Sequence, residues 1–143
     1  MGNNQKLGIY IKKLNIAFEN KCNKELKPYN IPLTQFKILK YLLNNRDREI
    51  NQKDLEKHFS STNPTITGVL NRLEAKKFIK RVISENDARF RKIELCEKAI
   101  LLNDEFIKVA DTFENDLTKG FSEEEKKVAL VLFQKMLDNL YGY

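Results

Sequence analysis

The sequence predicts a mainly α-helical fold with a small β-wing, in which a winged helix-turn-helix core is flanked by N- and C-terminal helices. Apolar residues recur every three or four positions along most of the 143 residues, which is the period of amphipathic helices. Near the middle, two such helices are separated by only a short turn. Two stretches rich in branched apolar and basic residues follow, at 78–83 and 91–96, and predict strands joined by a charged tip.

Two helices are expected before this core. The first runs from Leu7 to about Leu26 and carries more apolar surface than one neighbouring helix would cover. Pro28 ends it, and Pro32 lies near the start of the second helix. The buried face of the second helix is expected to consist of Phe36, Leu39, Leu42 and Leu43. The polar run at 44–49 is a loop.

The third helix has a well-marked start. Asn51 is a good N-cap, and Asp54 lies at the N3 position, where its charge favours the first amides. Ile50 and Leu55 supply the hydrophobic pair that flanks such a start. The helix ends near Phe59, so the next helix follows after about three residues.

The fourth helix is predicted to begin at Thr62, whose hydroxyl should accept a hydrogen bond from a free backbone amide. Its buried stripe is Ile66, Val69, Leu70 and Leu73. Its outer face is small, polar and free of acids, and comprises Pro64, Gly68, Asn71, Arg72 and Ala75, with Thr65 and Thr67 at its edges. A face of this kind fits a DNA major groove, although an ordinary amphipathic helix with a solvated outer face predicts the same pattern.

The distribution of charge favours the DNA interpretation. The chain has 26 basic and 20 acidic residues, a net charge of +6 and a pI near 9.2. Residues 62–92 alone hold eight basic residues against three acidic ones, a local net charge of +5. Most of the excess charge therefore lies in the segment that would face the phosphates of a nucleic acid.

The C-terminal part is predicted to be helical again. One long helix beyond Cys96 is expected to carry Ile100, Leu102, Phe106, Val109, Phe113 and Leu117, and residues 118–120 end it. Ser122 and Glu125 form a capping box for the last helix. That helix is expected to bury Ala129, Leu132, Phe133, Met136, Leu137 and Leu140. The flanking helices have apolar surface left for a partner, most simply a second copy of the chain.

Several classes of protein are disfavoured. Cys22 and Cys96 have neither the number nor the spacing of a disulfide framework or a zinc site, and we interpret both as core thiols, although Lys21 and Lys24 leave a reactive Cys22 open. No nucleophile is paired with a base, so no catalytic residue, metal or cofactor is predicted. No stretch of the sequence has the roughly 18 consecutive apolar residues that a membrane-spanning helix requires. We expect one cytoplasmic domain, 1–143, with no membrane partner.

Four segments in order resemble the MarR family of bacterial winged-helix transcription regulators. They are QFKIL at 35–39, TNPTITGVLNRLEAKKFIKR at 62–81, NDARFRKIEL at 86–95 and EKAI at 97–100. The resemblance implies a homodimeric, sequence-specific DNA-binding regulator, in our interpretation a repressor. Its DNA-binding lobe would be 30–96 and its dimerisation helices 5–28 and 97–143. The site would be a pseudo-palindromic duplex with half-sites about 10 bp apart.

The resemblance also implies which residues contact DNA. On the recognition helix and at its N-terminus they are Ser60, Ser61, Thr62, Asn63, Thr65, Thr67, Asn71 and Arg72. In the wing, Arg89 would enter the minor groove, Asp87 would orient it, and Arg91 would contact phosphate. Gly68 and Ala75 stand where longer side chains are common, which leaves more of the recognition to groove shape.

Two further expectations follow from the resemblance. Many family members bind small aromatic acids in a cleft between the first, second and fifth helices, so the resemblance also implies release from DNA by a small aromatic or phenolic ligand. Here Phe18, Phe36, Phe106 and Phe113 are candidates to line that cleft, and they fit a packed core equally well. Lys77 stands where the pattern usually has glycine, so a left-handed backbone there would cost about 1 kcal/mol.

A winged-helix protein-interaction module without DNA recognition is the alternative function.

Overall fold

The computed structural model describes residues 6–142. The elements are α1 (Leu7–Leu26), a 3-10 turn (Lys27–Tyr29), α2 (Leu33–Asn44), α3 (Gln52–Phe59), α4 (Asn63–Ala75), β1 (Ile79–Ile83), β2 (Arg91–Leu95), α5 (Glu97–Leu101), α6 (Asn103–Leu117) and α7 (Glu123–Tyr141). The chain divides into two compact units, one up to Val109 and one from Ala110 onwards. No helix within residues 6–142 is long and apolar enough to cross a membrane.

The core of the first unit is built from the two stripes that the sequence predicts. All four residues expected on the inner face of α2 are buried, and so are all four on the inner face of α4. Leu39, Leu55 and Leu70 are fully buried, and burying such a side chain contributes roughly 1.5–3 kcal/mol. Helical periodicity alone was therefore sufficient to identify these two stripes.

The first helix is buried only near its C-terminal end. Cys22 and Leu26 have no exposed surface, which confirms Cys22 as a core thiol. Leu7 is 65% exposed and Leu14 is 47% exposed, so the surplus of apolar surface expected for α1 is present. Cys96 is only half-buried, at the N-cap of α5, so the prediction that it is a core thiol was wrong. Its place at the start of a short helix leaves one side open.

Two of the three predicted helix caps form. The Asn51 side chain accepts from the amide of Asp54 at 3.0 Å, and Asp54 accepts from the amide of Asn51 at 2.9 Å. Ser122 and Glu125 make the same reciprocal pair, with distances of 3.1 and 3.0 Å. The amide and hydroxyl hydrogen bonds of Ser122 lower the pKa of the Glu125 carboxyl. Both capping boxes are therefore complete.

The predicted hydrogen bond from a backbone amide to the Thr62 hydroxyl does not form. Thr62 occupies the N-cap position of α4 with extended backbone, but its hydroxyl caps no amide. An N-cap side chain normally accepts from the second or third residue of the helix. The second is Pro64, which has no N–H, and the hydroxyl of the third, Thr65, lies 3.0 Å from the Thr62 hydroxyl. The two hydroxyls bind each other instead.

The end of α4 adopts the expected left-handed turn. Lys77 has a φ of +65°, a region that a non-glycine residue enters at a cost of about 1–2 kcal/mol. The amide of Phe78 donates to the carbonyl of Leu73, and that of Lys77 donates to Glu74. This is the Schellman pattern that terminates helices, so the turn forms although its central residue is lysine.

The wing is a two-stranded antiparallel sheet. Ile79 pairs with Leu95 and Ile83 pairs with Arg91, and the loop 84–90 joins the strands. The amide of Ile93 also donates to the carbonyl of Ile50 at 2.8 Å. The root of the wing is thereby tied to the segment just before α3, and β2 is held from both sides.

The single long helix predicted beyond Cys96 is wrong, because the chain forms α5 and α6 with a break at Leu102. The amide of Leu102 bonds to Ala99 in a tight 3-10 turn, and its carbonyl then accepts from Phe106. Asn103 and Asp104 follow the break. Short polar side chains of this type favour a helix start over a helix interior.

The prediction that α7 buries its apolar stripe is also wrong for the single chain. The side chains of Leu132, Phe133, Leu137 and Leu140 are exposed, and those of Ala129 and Met136 are half-buried. Leu140 reaches 82% exposure. A unit as short as 110–142 lacks the surroundings to cover all faces of its helices. Helical spacing predicted the stripe correctly, but it does not specify which molecule covers it.

Replacing Lys77 by glycine should stabilise the protein. Lys77→Gly removes the Cβ that penalises the left-handed turn, so the free energy of unfolding should rise by about 1 kcal/mol. Urea denaturation measures this value. Lys80→Gly is the matched control, because Lys80 is an exposed lysine in β1, where glycine should lower stability by about 0.5–1 kcal/mol. A lower unfolding midpoint for Lys77→Gly would contradict the strain assigned to this turn.

Candidate nucleic-acid interface

The outer face of α4 is exposed because its inner stripe is fully used in packing. The residues of this face that are exposed are Asn63, Pro64, Thr65, Asn71, Arg72 and Ala75, while Thr67 and Gly68 are half-buried at its edge. The prediction that this face is free of acids is wrong. Glu74 is exposed beside Asn71, and its charge has to be accounted for.

Arg81 accounts for that charge. This β1 residue donates from Nε to Glu74 at 3.2 Å and from Nη2 to the side-chain oxygen of Asn71 at 2.7 Å. The hydrogen bond from Arg81 lowers the pKa of the Glu74 carboxyl, so the pair stays ionised near neutral pH. Arg81 therefore orients Asn71 and Glu74 on α4 and neutralises the charge of Glu74.

The side chain of Gln52 holds the other edge of the face. Its amide nitrogen, from the first turn of α3, donates to the hydroxyl of Thr67 at 2.8 Å and lies 3.4 Å from the carbonyl of Asn63. The Asn63 side chain in turn donates to Glu56 at 3.3 Å. Helical periodicity carries no signal for this contact between α3 and α4, so the sequence did not indicate Gln52.

The turn before α4 carries three hydroxyl side chains in sequence. Ser60 adopts a left-handed conformation with a φ of +49°, and the Ser61 hydroxyl donates to the carbonyl of Phe59 at 3.3 Å. The amide of Ser61 bonds back to Glu56. Ser60 and Thr62 are exposed at the N-terminus of α4, where free amides and the helix dipole favour an anion.

Lys76 belongs to the scaffold and not to the interface. Its ammonium group donates to the backbone carbonyl of Asn30 and to the side chain of buried Gln35, each at 2.7 Å. Burial lowers the pKa of Lys76, and the nearby charges of Lys98 and Arg72 lower it further. The local charge of +5 thus overstates the cations that face outwards, because Lys76 and Arg81 are already engaged.

Arg72 is the cation of α4 that stays available. It is exposed, and among the residues that the structure describes it makes no ion pair. A Cβ added at Gly68 would lie 4.0 Å from its guanidinium, which is ordinary van der Waals contact. A Cβ at position 68 would therefore touch Arg72 without a clash.

The wing tip joins the two residues that the resemblance singled out. The Asp87 carboxylate accepts from Nη2 of Arg89 at 2.7 Å, from its Nε at 3.0 Å and from its backbone amide at 3.1 Å. These bonds lower the pKa of Asp87 and raise that of Arg89. The Arg89 side chain is nevertheless 83% exposed, so it is oriented but open to solvent. Arg91 is exposed at the start of β2.

The aromatic residues proposed for a ligand cleft lie in different settings. Phe36 and Phe106 pack edge to face at 5.3 Å, and Tyr29 packs on Phe106 at the same distance. Phe106 has no exposed surface, so these rings form core unless the cluster opens. Phe18 is half-buried in α1. Phe113 is buried and belongs to the second unit.

A cavity of about 400 Å³ lies at another place in the first unit. Its lining includes Arg46, Glu49 and Lys92, and its apolar wall includes Leu42 and Ile93. None of the four phenylalanines lines this cavity. The space next to the root of the wing is therefore distinct from the predicted aromatic cleft.

Known structures share this arrangement over almost the whole chain. A transcription regulator MarR from Oenococcus oeni PSU-1 is 30% identical, and the match covers 96% of this chain and 100% of that one at a TM-score of 0.82. The MepR–DNA complex of Staphylococcus aureus is 28% identical, with 95% and 98% of the two chains covered at a TM-score of 0.88.

Sequence comparison agrees with the structural match. The HTH-type transcriptional repressor YetL of Bacillus subtilis (strain 168) is 31% identical over 107 residues. The match is 75% of this chain and 62% of that protein, so the chain spans slightly less than two thirds of that relative. The model of the MarR family matches residues 31–90, from the start of α2 to the wing loop. This chain therefore belongs to the MarR family of winged-helix transcriptional regulators.

Proposed function

We propose that this chain is a homodimeric, sequence-specific DNA-binding regulator that represses transcription. The exposed guanidinium of Arg72 carries the proposal, because it lies on a narrow helix face on which Arg81 neutralises the charge of Glu74. A major groove admits such a helix, and its phosphate rims attract unpaired cations. The MepR–DNA complex supports the DNA partner, and the repressor YetL supports the sign of regulation.

In this proposal the lobe formed by residues 30–96 docks on DNA. α4 enters the major groove with Asn71, Arg72 and the threonines facing bases or phosphates. The N-terminal turn of α4, with Ser60, Ser61 and Thr62, contacts phosphate, and Asn63 lies beside it. Arg89, held by Asp87, reaches the minor groove, and Arg91 contacts the backbone.

The dimer is proposed from exposed apolar surface. Leu7, Ile11 and Leu14 of α1 are exposed, and so are Leu132 and Leu140 of α7. Soluble proteins seldom leave large contiguous apolar patches in water. A second copy that covers these helices, in segments 5–28 and 97–143, would bury them and place two lobes on one duplex. Half-sites would then recur after about 10 bp.

We do not extend the proposal to release by an aromatic acid, because Phe36 and Phe106 fill each other's space in the core. A protein-interaction module without DNA recognition is the alternative function. The arginine at the wing tip, which makes four hydrogen bonds to one carboxylate, favours DNA binding over this alternative. The regulators among its relatives also favour a non-enzymatic role.

Selection of duplexes from a random pool tests the DNA proposal. We expect a two-fold symmetric consensus whose half-sites are about 10 bp apart. Affinity for the selected duplex should fall by about 10³-fold or more between 50 and 200 mM salt if six or more phosphates are contacted. A pool that shows no enrichment, or binding that ignores salt, would contradict the proposal.

Arg72→Ala should weaken binding to the selected duplex by about 1–3 kcal/mol per half-site, because it removes an exposed cation from the groove face. Fluorescence anisotropy with labelled duplex measures the affinity. Lys127→Ala is the matched control, since Lys127 is an exposed lysine of α7 outside the proposed lobe. Equal losses for the two variants would show only a general charge effect and would count against α4 as the recognition helix.

Leu140→Glu should convert the dimer to a monomer, because it places a charge on the most exposed apolar side chain of α7. Sedimentation velocity measures the change. Binding to a full operator should weaken, while binding to a single half-site should stay the same. Ile83→Glu, which changes an exposed residue of β1, should leave the sedimentation coefficient unaltered. A Leu140→Glu variant that remains dimeric would exclude this surface as the interface.

A further inference from the structure

The hydroxyl of Ser84 makes three hydrogen bonds at the start of the wing loop. Ser84 directly follows β1 and is only 6% exposed. Its oxygen accepts from the backbone amide of Asn86 at 3.1 Å and from that of Asp87 at 3.2 Å. A serine hydroxyl has one hydrogen and two acceptor lone pairs. Both lone pairs are therefore used, and the hydrogen has to find a separate acceptor.

Glu49 is that acceptor. It lies in the loop between α2 and α3, and its Oε1 is 2.8 Å from the Ser84 hydroxyl. Its second oxygen accepts from the side-chain amide of Asn86 at 3.1 Å. Each carboxylate oxygen therefore holds a different residue of the wing loop. We call Glu49, Ser84 and Asn86 together the wing latch.

The latch fixes the residue that in turn fixes Arg89. Asp87 receives its position from the bond between its amide and Ser84. Its carboxylate then binds the backbone and guanidinium of Arg89. The amide of Ser84 donates to the carbonyl of Phe90 at 2.9 Å, which closes the loop. A continuous chain of hydrogen bonds thus runs from Glu49 in the body of the lobe to the exposed arginine.

We infer that Glu49 and Ser84 are positioning residues for DNA binding, because the wing latch holds the loop 84–90 in the shape that presents Arg89 to the duplex. The inference rests on the proposed function and assigns it two residues that do not themselves reach DNA. It also predicts the direction in which DNA affinity changes when Glu49 is replaced. Removing an acid close to a DNA-binding surface should strengthen binding by charge alone, whereas loss of the latch should weaken it.

Glu49→Ala and Glu49→Gln separate these two effects, since both remove one negative charge. Glutamine keeps an oxygen for the Ser84 hydroxyl, and its NH₂ group can face Asn86 if that amide turns over. We expect Glu49→Gln to bind the selected duplex within about twofold of wild type. Glu49→Ala should bind about tenfold more weakly, as expected if the competent wing shape falls to a tenth of the population. Ser84→Ala should behave like Glu49→Ala.

Glu85→Ala is the control for charge in the same loop. Glu85 is exposed, and its ion pair with Lys92 is long, at 3.8 Å. Its removal should leave affinity unchanged or raise it. Equal affinities for Glu49→Ala and Glu49→Gln, or a gain in affinity for Glu49→Ala like that of Glu85→Ala, would overturn the inference.

A double-mutant cycle tests whether the latch acts through Arg89. If it does, adding Glu49→Ala to Arg89→Ala should cause no further loss of affinity. A general loss of folding would instead give additive losses and a lower unfolding midpoint. Additive losses at an unchanged midpoint would also refute the route through Arg89.

Hydrogen exchange in the free protein tests the latch without DNA. The amides of Asn86 and Asp87 should exchange faster in Glu49→Ala than in wild type, while the amide of Ile93, which bonds to Ile50, should not change. Equal exchange at Asn86 and Asp87 would show that Glu49 does not hold the loop. If wild type bound no duplex, the proposed function would fail together with the DNA role of the latch. Exchange would then still decide whether the latch exists.

Discussion

The burial of one side of α4 is the constraint on which the interface depends. Ile66, Leu70 and Leu73 are fixed in the core, so the helix cannot rotate, and the direction of every outer residue follows. Lys76 fixes the C-terminal end of α4 against Asn30, in the turn before α2, and against Gln35, in the first turn of α2. The Schellman turn at Lys77 then sends the chain into β1. The recognition face and the wing are therefore positioned by the same packing.

The second organising principle is the pairing of charges. The basic residues of 62–92 divide into cations that hold the lobe together and cations that stay in solvent. Arg81 and Lys76 belong to the first group, because their donors are occupied by Glu74, Asn71 and the turn before α2. Arg72, Arg89 and Arg91 keep exposed side chains. A net charge counts both groups equally, although only the second can exchange its hydration for phosphate.

The features that could be predicted from the sequence are those that depend on local contacts. The helix bounds, both stripes of the core and the capping boxes depend on contacts a few residues apart, so periodicity and short motifs suffice to predict them. The Thr62 cap failed because Pro64 removes the nearest amide and Thr65 supplies a competing hydroxyl. The prediction of one continuous helix across Leu102 was wrong, because the apolar stripe continues through the 3-10 turn and does not reveal it.

Other features depend on contacts between distant residues. The pairing of Gln52 with Thr67, of Arg81 with Asn71 and of Glu49 with Ser84 spans 10 to 35 residues, and a single sequence holds no local signal for any of them. The exposure of α7 is the opposite case, since the stripe was visible but the molecule that covers it was not.

Long-range pairing also shapes what the recognition helix can read in the proposed complex. The side-chain oxygen of Asn71 already accepts from Arg81 at 2.7 Å, so the two N–H donors make up most of the hydrogen-bonding capacity that this side chain has left. Arg72 is likewise a donor. Two donors on one face favour acceptor edges in the major groove, such as the N7 and O6 of guanine or the O4 of thymine. They disfavour the exocyclic amino groups of cytosine and adenine.

Gly68 and Ala75 add no hydrogen bonds because their side chains have no polar atoms, and the Thr67 hydroxyl is bound to Gln52. The methyl groups of the threonines can still contact thymine. Specificity should then come from a few donor contacts on each half-site, supplemented by the minor-groove width that an oriented Arg89 can sense. In the proposed complex, the wing would therefore contribute to sequence preference as well as to affinity, through the hydrogen bonds that orient Arg89.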